Sequence, residues 1–215
     1  MEEKNQPMRR EYAKLELRRK DLLANPVEQF HRWFQEAIKE EKTEPNAMTL
    51  STANLAGRPS SRIVLLKYFD QQGFVFFTNL ESRKARELQE NPLGAINFFW
   101  NTLERQVNIE GSVVLLPSAE SRDYFSNRPR ASQIGAWASR QDVELKSREQ
   151  LEQTYAQLLK QYEGQQIPLP PFWGGFRLIP SRFEFWQGRT NRLHDRFEYT
   201  FQLQQNQWEI RRLSP

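Results

Sequence analysis

Between Ala47 and Leu116 the chain is built of short β-prone runs broken by turn residues, and this texture restricts its fold more than any other feature. Ala47 to Ala53, Ser61 to Tyr68 and Phe74 to Thr78 read as strands, parted by Ala56-Gly57-Arg58-Pro59 and by Asp70-Gln71-Gln72-Gly73. A helix from about Thr78 follows, then strands at Leu93 to Trp100 and Gln106 to Leu116. A small helix begins near Ser118, and Ser147-Arg148-Glu149-Gln150 is a capping box for a helix reaching about Tyr162. Pro168, Pro170 and Pro171 end it, and the last strands lie around Phe176, Phe183 and Phe197 and from Trp208 to Leu213. Short strands with inserted helices predict an α+β, mainly antiparallel β fold, a small barrel. Without βαβ alternation or a glycine fingerprint, the pattern argues against a dinucleotide-binding doubly wound sheet.

Upstream, the first twenty or so residues are charged and read as a helix ordered against a partner surface. Asn25-Pro26 is a helix start, because asparagine caps and proline suits the first turn. Val27, Phe30, Phe34, Ala37 and Ile38 recur at helical spacing and are its expected buried face. Residues 1–24 are therefore taken as an N-terminal segment and 25–215 as a single domain.

Composition removes several classes of function. With 215 residues, including 15 Phe, 6 Trp and 6 Tyr, the chain has the material for an aromatic core. Its mean hydropathy is −0.81 and no apolar run approaches the roughly 20 residues that span a bilayer, so no membrane role is expected. The start, MEEKNQPMRREY, lacks the apolar segment of a signal peptide, which predicts a cytoplasmic protein. The absence of cysteine excludes disulfides, thiolate metal sites and thiol redox chemistry. His31 and His194 are the only histidines and stand far apart, so no metal is expected. Redox chemistry would then require a bound organic cofactor. The net charge is +4; the one dense basic stretch, Arg9 to Lys20, is interrupted by Glu11 and Glu16, and elsewhere the cations come in ones and twos inside motifs, which suits small phosphates better than nucleic acid.

Four stretches could carry chemistry. In SRIVLLKYFD, Arg62 and Lys67 flank the apolar run Ile63 to Leu66, which reads as a strand covered on both faces. An odd spacing points the two cations to opposite faces of a regular strand, so both serve one ligand only if a bulge intervenes or one reaches around the strand end; snorkelling cations are the plainer alternative. In TNLESRKARELQE, either Thr78 with Glu81 or Ser82 caps a helix that carries Arg83 and Lys84 in its first turns. Cations are unfavourable there unless exposed to solvent or compensated by a bound anion. RDYFSNRPRASQ gathers Tyr124, Arg128, Arg130 and Ser132, either a phosphate clamp or a polar helix end. The fourth, FWQGRTNRLHDRF, crowds Arg189, Arg192, His194 and Arg196 between Trp186 and Phe197, where a solvated hairpin is the alternative.

Taken in order from RREY at Arg9 to Tyr12, through RIVLLK, TNLESRKA, LERQV, NRPRASQIGAW, PPFWGGFRL and FWQG with RLHDRF, to the final RRLSP, the chain resembles pyridoxamine/pyridoxine 5′-phosphate oxidases along nearly its whole length. The resemblance implies an FMN-binding split β-barrel with flanking helices, working as a homodimer with shared active sites. It also implies oxidation of pyridoxine or pyridoxamine 5′-phosphate to pyridoxal 5′-phosphate by dioxygen, releasing hydrogen peroxide, and ammonia from the amine. By similarity, Arg62, Ile63, Val64, Leu65, Leu66, Lys67, Phe77, Thr78, Arg83 and Lys84 line FMN, with Gln106, Gln141, Trp186 and Arg196 coming largely from the other subunit. Substrate phosphate falls to Lys67, Tyr124, Arg128 and Ser132. Arg192 and His194 lie over the pyridine ring as the catalytic pair, His194 either accepting a proton from the 4′ hydroxyl or amine or only hydrogen-bonding to it. Arg9 and Tyr12 match a segment that closes over substrate. Arg189 is left as surface. Where family members often have Gln-Ser, this chain has Gln141-Asp142, which puts a side-chain contact from position 142 in doubt. Flavin reductases, F420-type reductases and nucleic-acid modules are the rival classes; the reductases would lack the RLHDR loop and the Tyr124, Arg128 and Ser132 set.

Overall fold

Asn25 and Pro26 open the first helix, α1 (Pro26–Glu40), as their chemistry predicts. Asn25 Oδ1 accepts the N–H of Val27 at 2.8 Å and of Glu28 at 3.4 Å, and proline at the first position leaves no donor stranded. Val27, Phe30 and Ala37 are buried as expected, joined by Gln29 and Trp33. Phe34 is half-buried and Ile38 is 48% exposed, because the packed stripe runs through Phe30, Trp33 and Ala37 and leaves Ile38 on its flank.

The computed structural model describes residues 11–215. They divide into two units interleaved along the chain. The first holds the chain up to Met48 with Ile96–Glu110 and Ser181–Pro215; the second holds Thr49–Ala95 and Gly111–Pro180. After α1 come β1 (Ala47–Ala53), β2 (Pro59–Leu65), β3 (Tyr68–Asp70), β4 (Gly73–Asn79), α2 (Arg83–Glu90), β5 (Leu93–Trp100) and β6 (Arg105–Leu115). Then follow α3 (Ser118–Ser126), α4 (Arg130–Ala138), α5 (Arg148–Gln161), β7 (Trp173–Gln187), β8 (Asp195–Gln202) and β9 (Gln207–Leu213). The strand path is β2-β1-β5-β6-β7-β4-β3, with β8 added to β7 and β9 to β8. The β3–β4, β4–β7, β7–β8 and β8–β9 pairs are antiparallel, giving the expected α+β, mainly antiparallel class.

Several boundaries differ from the sequence reading. The run Ser61 to Tyr68 breaks at Leu66-Lys67 into β2 and β3, and Ile63 is 65% exposed, so that strand is not covered on both faces within the chain. The helix expected from Thr78 starts at Arg83 with Ser82 at its N-cap, the second of the two possibilities. Phe176 and Phe183 share one 15-residue strand, and α4 was not anticipated. Of the helix expected over the first twenty or so residues, the described part contains only the 3-10 turn Arg19–Asp21.

Aromatic residues build both cores. In the first unit Phe30, Phe98 and Trp100 meet, and Trp33 stands edge-on to Phe185 at 5.2 Å. In the second, Phe76 stacks on Phe176 across the β4–β7 pair, and Phe125, Ile134, Ile167 and Trp173 form a further cluster. The turn into β4 depends on Gly73: at φ 136° a side chain is disfavoured, and a Cβ there would stand 2.0 Å from the Leu178 carbonyl oxygen. Among the described residues no helix is long and apolar enough to cross a membrane.

Candidate functional site

The second unit brings Arg62, Thr78, Arg83 and Lys84 together at the start of α2. Ser82 holds the N-cap position without capping, because its hydroxyl donates to the Asn79 carbonyl at 2.7 Å. The first turn therefore keeps donors for an anion. Arg83 points outward, while Lys84 is 5% exposed and, among the described residues, its Nζ reaches only hydroxyls, Thr78 Oγ1 at 3.2 Å and Ser82 Oγ at 3.1 Å. Burial lowers the Lys84 pKa, Asp142 works against that, and Arg62 adds to it.

Glu87, one turn along α2, organises the cations around it. Its carboxylate takes the Arg83 Nε at 2.8 Å, stands 3.5 Å from Arg62 Nη2, and accepts the hydroxyls of Thr52 and Ser60. Burial acts to raise the Glu87 pKa, but bonds from Ser60, Thr52 and Arg83 outweigh it and bring it down to about 2. Arg62 also donates to Thr52 Oγ1 at 2.7 Å. Lys67 lies in the break between β2 and β3, exposed, its amide donating to the Val75 carbonyl. This is a break between two strands rather than a bulge within one, and the strict alternation of faces between Arg62 and Lys67 ends there. Val64 and Leu65 are half-buried on β2, and Leu66 is buried just past its end.

A second cluster lies between α3 and α4 in the same unit. Tyr124 stacks on Phe77 at 4.0 Å, and Phe77 stacks on Trp173 at 5.2 Å. The Arg128 guanidinium sits 4.7 Å over the Trp173 ring and 5.6 Å from that of Phe125. Burial lowers the Arg128 pKa. Its Nη1 is buried with no hydrogen-bond partner among the described residues. A guanidinium held on an aromatic face with an unspent donor fits an anionic ligand. Ser132 lies in the first turn of α4, close in sequence to Arg128. Arg130 leaves this group: it donates to the carbonyls of Gln165, at 2.9 Å, and Tyr162, tying down the end of α5. Gln141 is exposed in the turn after α4.

The first unit gathers the remaining candidates around the β7–β8 connection. Trp186 pairs with Arg196 in the ladder, and Arg196 Nε donates to Glu184 at 2.7 Å while its Nη1 donates to the Ser214 carbonyl at 2.8 Å. Asn191 and Arg192 adopt left-handed backbone, φ 54° and 61°, which turns the chain back toward β8. Trp186 lies 4.6 Å from His194, and Tyr12 stands 5.7 Å from Trp186 and 6.0 Å from His194. Tyr12, Trp186 and His194 pack together at the base of the connection, while Thr190 to Leu193 at its tip are exposed. Burial, then the Arg192 charge, lower the His194 pKa, so the ring is neutral at pH 7. Gln106 is half-buried on β6. Arg9 lies outside the described residues.

Arg189, read from the sequence as surface, reaches Glu16 at 3.0 Å and Asp195 at 3.7 Å. Beside it, Glu104 accepts the amides of Ala13 at 3.0 Å and Lys14 at 3.2 Å, and Asp195 accepts that of Leu17 at 3.2 Å. These carboxylates moor the segment that carries Tyr12. Sequence reasoning missed them, along with Glu87 and Trp173. Only Glu87 left a trace, at the i+4 position from Arg83.

Residues 34–162 match the family model described as pyridoxamine 5′-phosphate oxidase, and residues 173–215 match that of the pyridoxine 5′-phosphate oxidase C-terminal dimerisation region. A pyridoxine/pyridoxamine 5′-phosphate oxidase of Crocosphaera subtropica is 54% identical over 97% of this chain and 98% of its own. That of Paraburkholderia phytofirmans is 51% identical over 97% of both. Among solved structures, PhzG from Burkholderia lata, in complex with tetrahydrophenazine-1-carboxylic acid, superposes with a TM-score of 0.86 at 34% identity, covering 91% of this chain and 95% of that one.

Proposed function

The chain belongs to the pyridoxamine 5′-phosphate oxidase family, and on that premise we propose that it holds FMN through the α2 cation cluster and the substrate phosphate through Arg128. It is an oxidoreductase acting on pyridoxine and pyridoxamine 5′-phosphates, yielding pyridoxal 5′-phosphate. When bound, FMN supplies the two-electron acceptor, which dioxygen regenerates with release of hydrogen peroxide.

The observation that carries the reading is the pair of separate cation clusters, one centred on buried Lys84 and one on Arg128 with its unspent donor. Two phosphorylated ligands account for both. Lys84, Arg83 and Arg62 hold the FMN phosphate at the helix start, where N–H groups and charge act together. Ile63 to Lys67, Phe77 and Thr78 line the remainder, with Gln106, Gln141, Trp186 and Arg196 reaching the flavin largely from the other subunit. The match to a dimerisation region supports a homodimer in which they do so.

Arg128, Tyr124, Ser132 and Lys67 grip the substrate phosphate, far from the reacting carbon, so their binding energy serves orientation. Arg192 pins the pyridine ring and its phenolic oxygen. The Arg189 amide donates to His194 Nδ1 at 3.1 Å, which leaves the proton of the neutral ring on Nε2. His194 therefore offers the substrate's 4′ substituent a donor and holds a proton there. This tautomer favours hydrogen bonding over proton acceptance as its role. Tyr12 and Arg9 close over the substrate from the N-terminal segment.

Titrating apoprotein with FMN, then adding pyridoxine 5′-phosphate without oxygen, tests this reading. The expected result is a yellow protein that bleaches on substrate and recolours in air. Arg83→Ala with Lys84→Ala should weaken FMN binding strongly, and unchanged affinity would remove the phosphate assignment.

A further inference from the structure

Asp142 places a carboxylate on the one helix end that the proposed function reserves for a phosphate. Its Oδ2 accepts the backbone N–H of Arg83, the first residue of α2, at 2.6 Å. The contact joins residues 59 apart in the chain and takes up one of the first-turn N–H groups of α2 that have no partner within the helix. Asp142 reaches it with left-handed backbone, φ 67°, a conformation that aspartate adopts more readily than most side chains. The loop is also clipped by Arg140, whose Nη2 donates to Glu81 at 2.7 Å, and by the Asn79 side chain, which donates to the Ser139 carbonyl at 3.5 Å.

The charge count gives the contact its meaning. Arg62, Arg83 and Lys84 bring three cations to this end of α2, and Glu87 is paired with the two arginines. A phosphate monoester carries about −1.5 to −2 at pH 7. With Glu87 alone the cluster keeps two positive charges, matching the phosphate; with Asp142 as well it keeps one. Asp142 is moreover the anion that acts on Lys84, whose own contacts are hydroxyls.

Resting on the reading that FMN binds here, we propose that Asp142 is an internal competitor for the FMN phosphate, which must displace its carboxylate from the Arg83 amide to bind. Position 142 then sets the affinity of this enzyme for its cofactor below what Arg62, Arg83 and Lys84 would give. The competition is electrostatic, so it weakens with salt, and it concerns only the phosphate end of the flavin.

Asp142→Asn removes the charge and keeps an oxygen that can cap the helix; Asp142→Ser removes the reach as well. Full-length apoproteins are titrated with FMN and with riboflavin, which has no phosphate, by quenching of flavin fluorescence. Both variants should bind FMN roughly tenfold tighter than the unaltered chain at low ionic strength, with the gap closing toward 1 M salt. Riboflavin affinity should not move. Unchanged or weaker FMN binding in both variants would overturn the inference, as would an equal gain for riboflavin. An unaltered chain that binds no FMN would instead overturn the cofactor reading itself, and this inference with it.

Discussion

The backbone amide of Arg189 donates to Nδ1 of His194 at 3.1 Å, so the single histidine of the β7–β8 connection is locked in one tautomer by its own loop. Protonation of the ring forfeits that bond. Burial and then the Arg192 charge both lower the His194 pKa, so the folded chain binds this proton less readily than the unfolded one. The associated stability is present above the unfolded pKa of about 6.5 and is lost as pH falls through the lower folded value. Nitrogen NMR of the two histidines should find the His194 proton on Nε2 and a titration below the ordinary range. Arg192→Ala should move that titration upward. A proton on Nδ1 would contradict the assignment.

Arg128 depends on Trp173 for its orientation. Trp173→Leu should raise the KM for pyridoxine 5′-phosphate about tenfold with a smaller change in kcat, because the cation loses its aromatic face. Trp173→Phe should restore most of the loss. Arg128→Ala should cost roughly 1.5–3 kcal/mol of binding for pyridoxal 5′-phosphate and almost nothing for unphosphorylated pyridoxal. Calorimetry with the two ligands compares them directly.

Glu87 is the acid-sensitive post of the α2 cluster. Its pKa of about 2 lies below that of an unfolded glutamate, so its contribution is complete above about pH 4.5 and disappears as pH falls toward 2. Glu87→Gln should destabilise the protein by about 1–3 kcal/mol at pH 7, since Thr52, Ser60 and Arg83 lose a charged acceptor. Denaturant midpoints measured from pH 7 downward should show the gap narrowing below pH 4.5. A gap independent of pH would mean the carboxylate charge is not what matters.

Glu104 accepts the amides of both Ala13 and Lys14 and should control the segment bearing Tyr12. Glu104→Ala should speed hydrogen exchange at those two amides and raise KM, while Arg189→Ala, which breaks partly exposed pairs, should cost under about 1 kcal/mol. Exchange at residues 13–17 that is unchanged by Glu104→Ala would show another anchor holding the segment.

Sequence alone determined whatever depends on neighbouring residues. Asn25-Pro26 starts α1, Asp70 Oδ1 takes the amides of Gln72 and Gly73 to form the turn into β4, and Ser147 accepts the Gln150 amide at the head of α5. These are short-range hydrogen bonds and backbone limits, legible at a separation of two or three residues. The cation motifs were legible too, because their arginines and lysines stand close together in the sequence. Tertiary structure decided which cations face inward and what they meet. Lys84 is buried while adjacent Arg83 is exposed, Arg128 rests on Trp173, and Arg189 reaches Glu16 from 173 residues away. Asp142 meets the Arg83 amide only because the turn after α4 packs on the start of α2. No periodicity marks such partners, since they are chosen by which surfaces the sheet and helices press together, and one backbone reversal, as at Arg192, redirects a side chain without altering its identity.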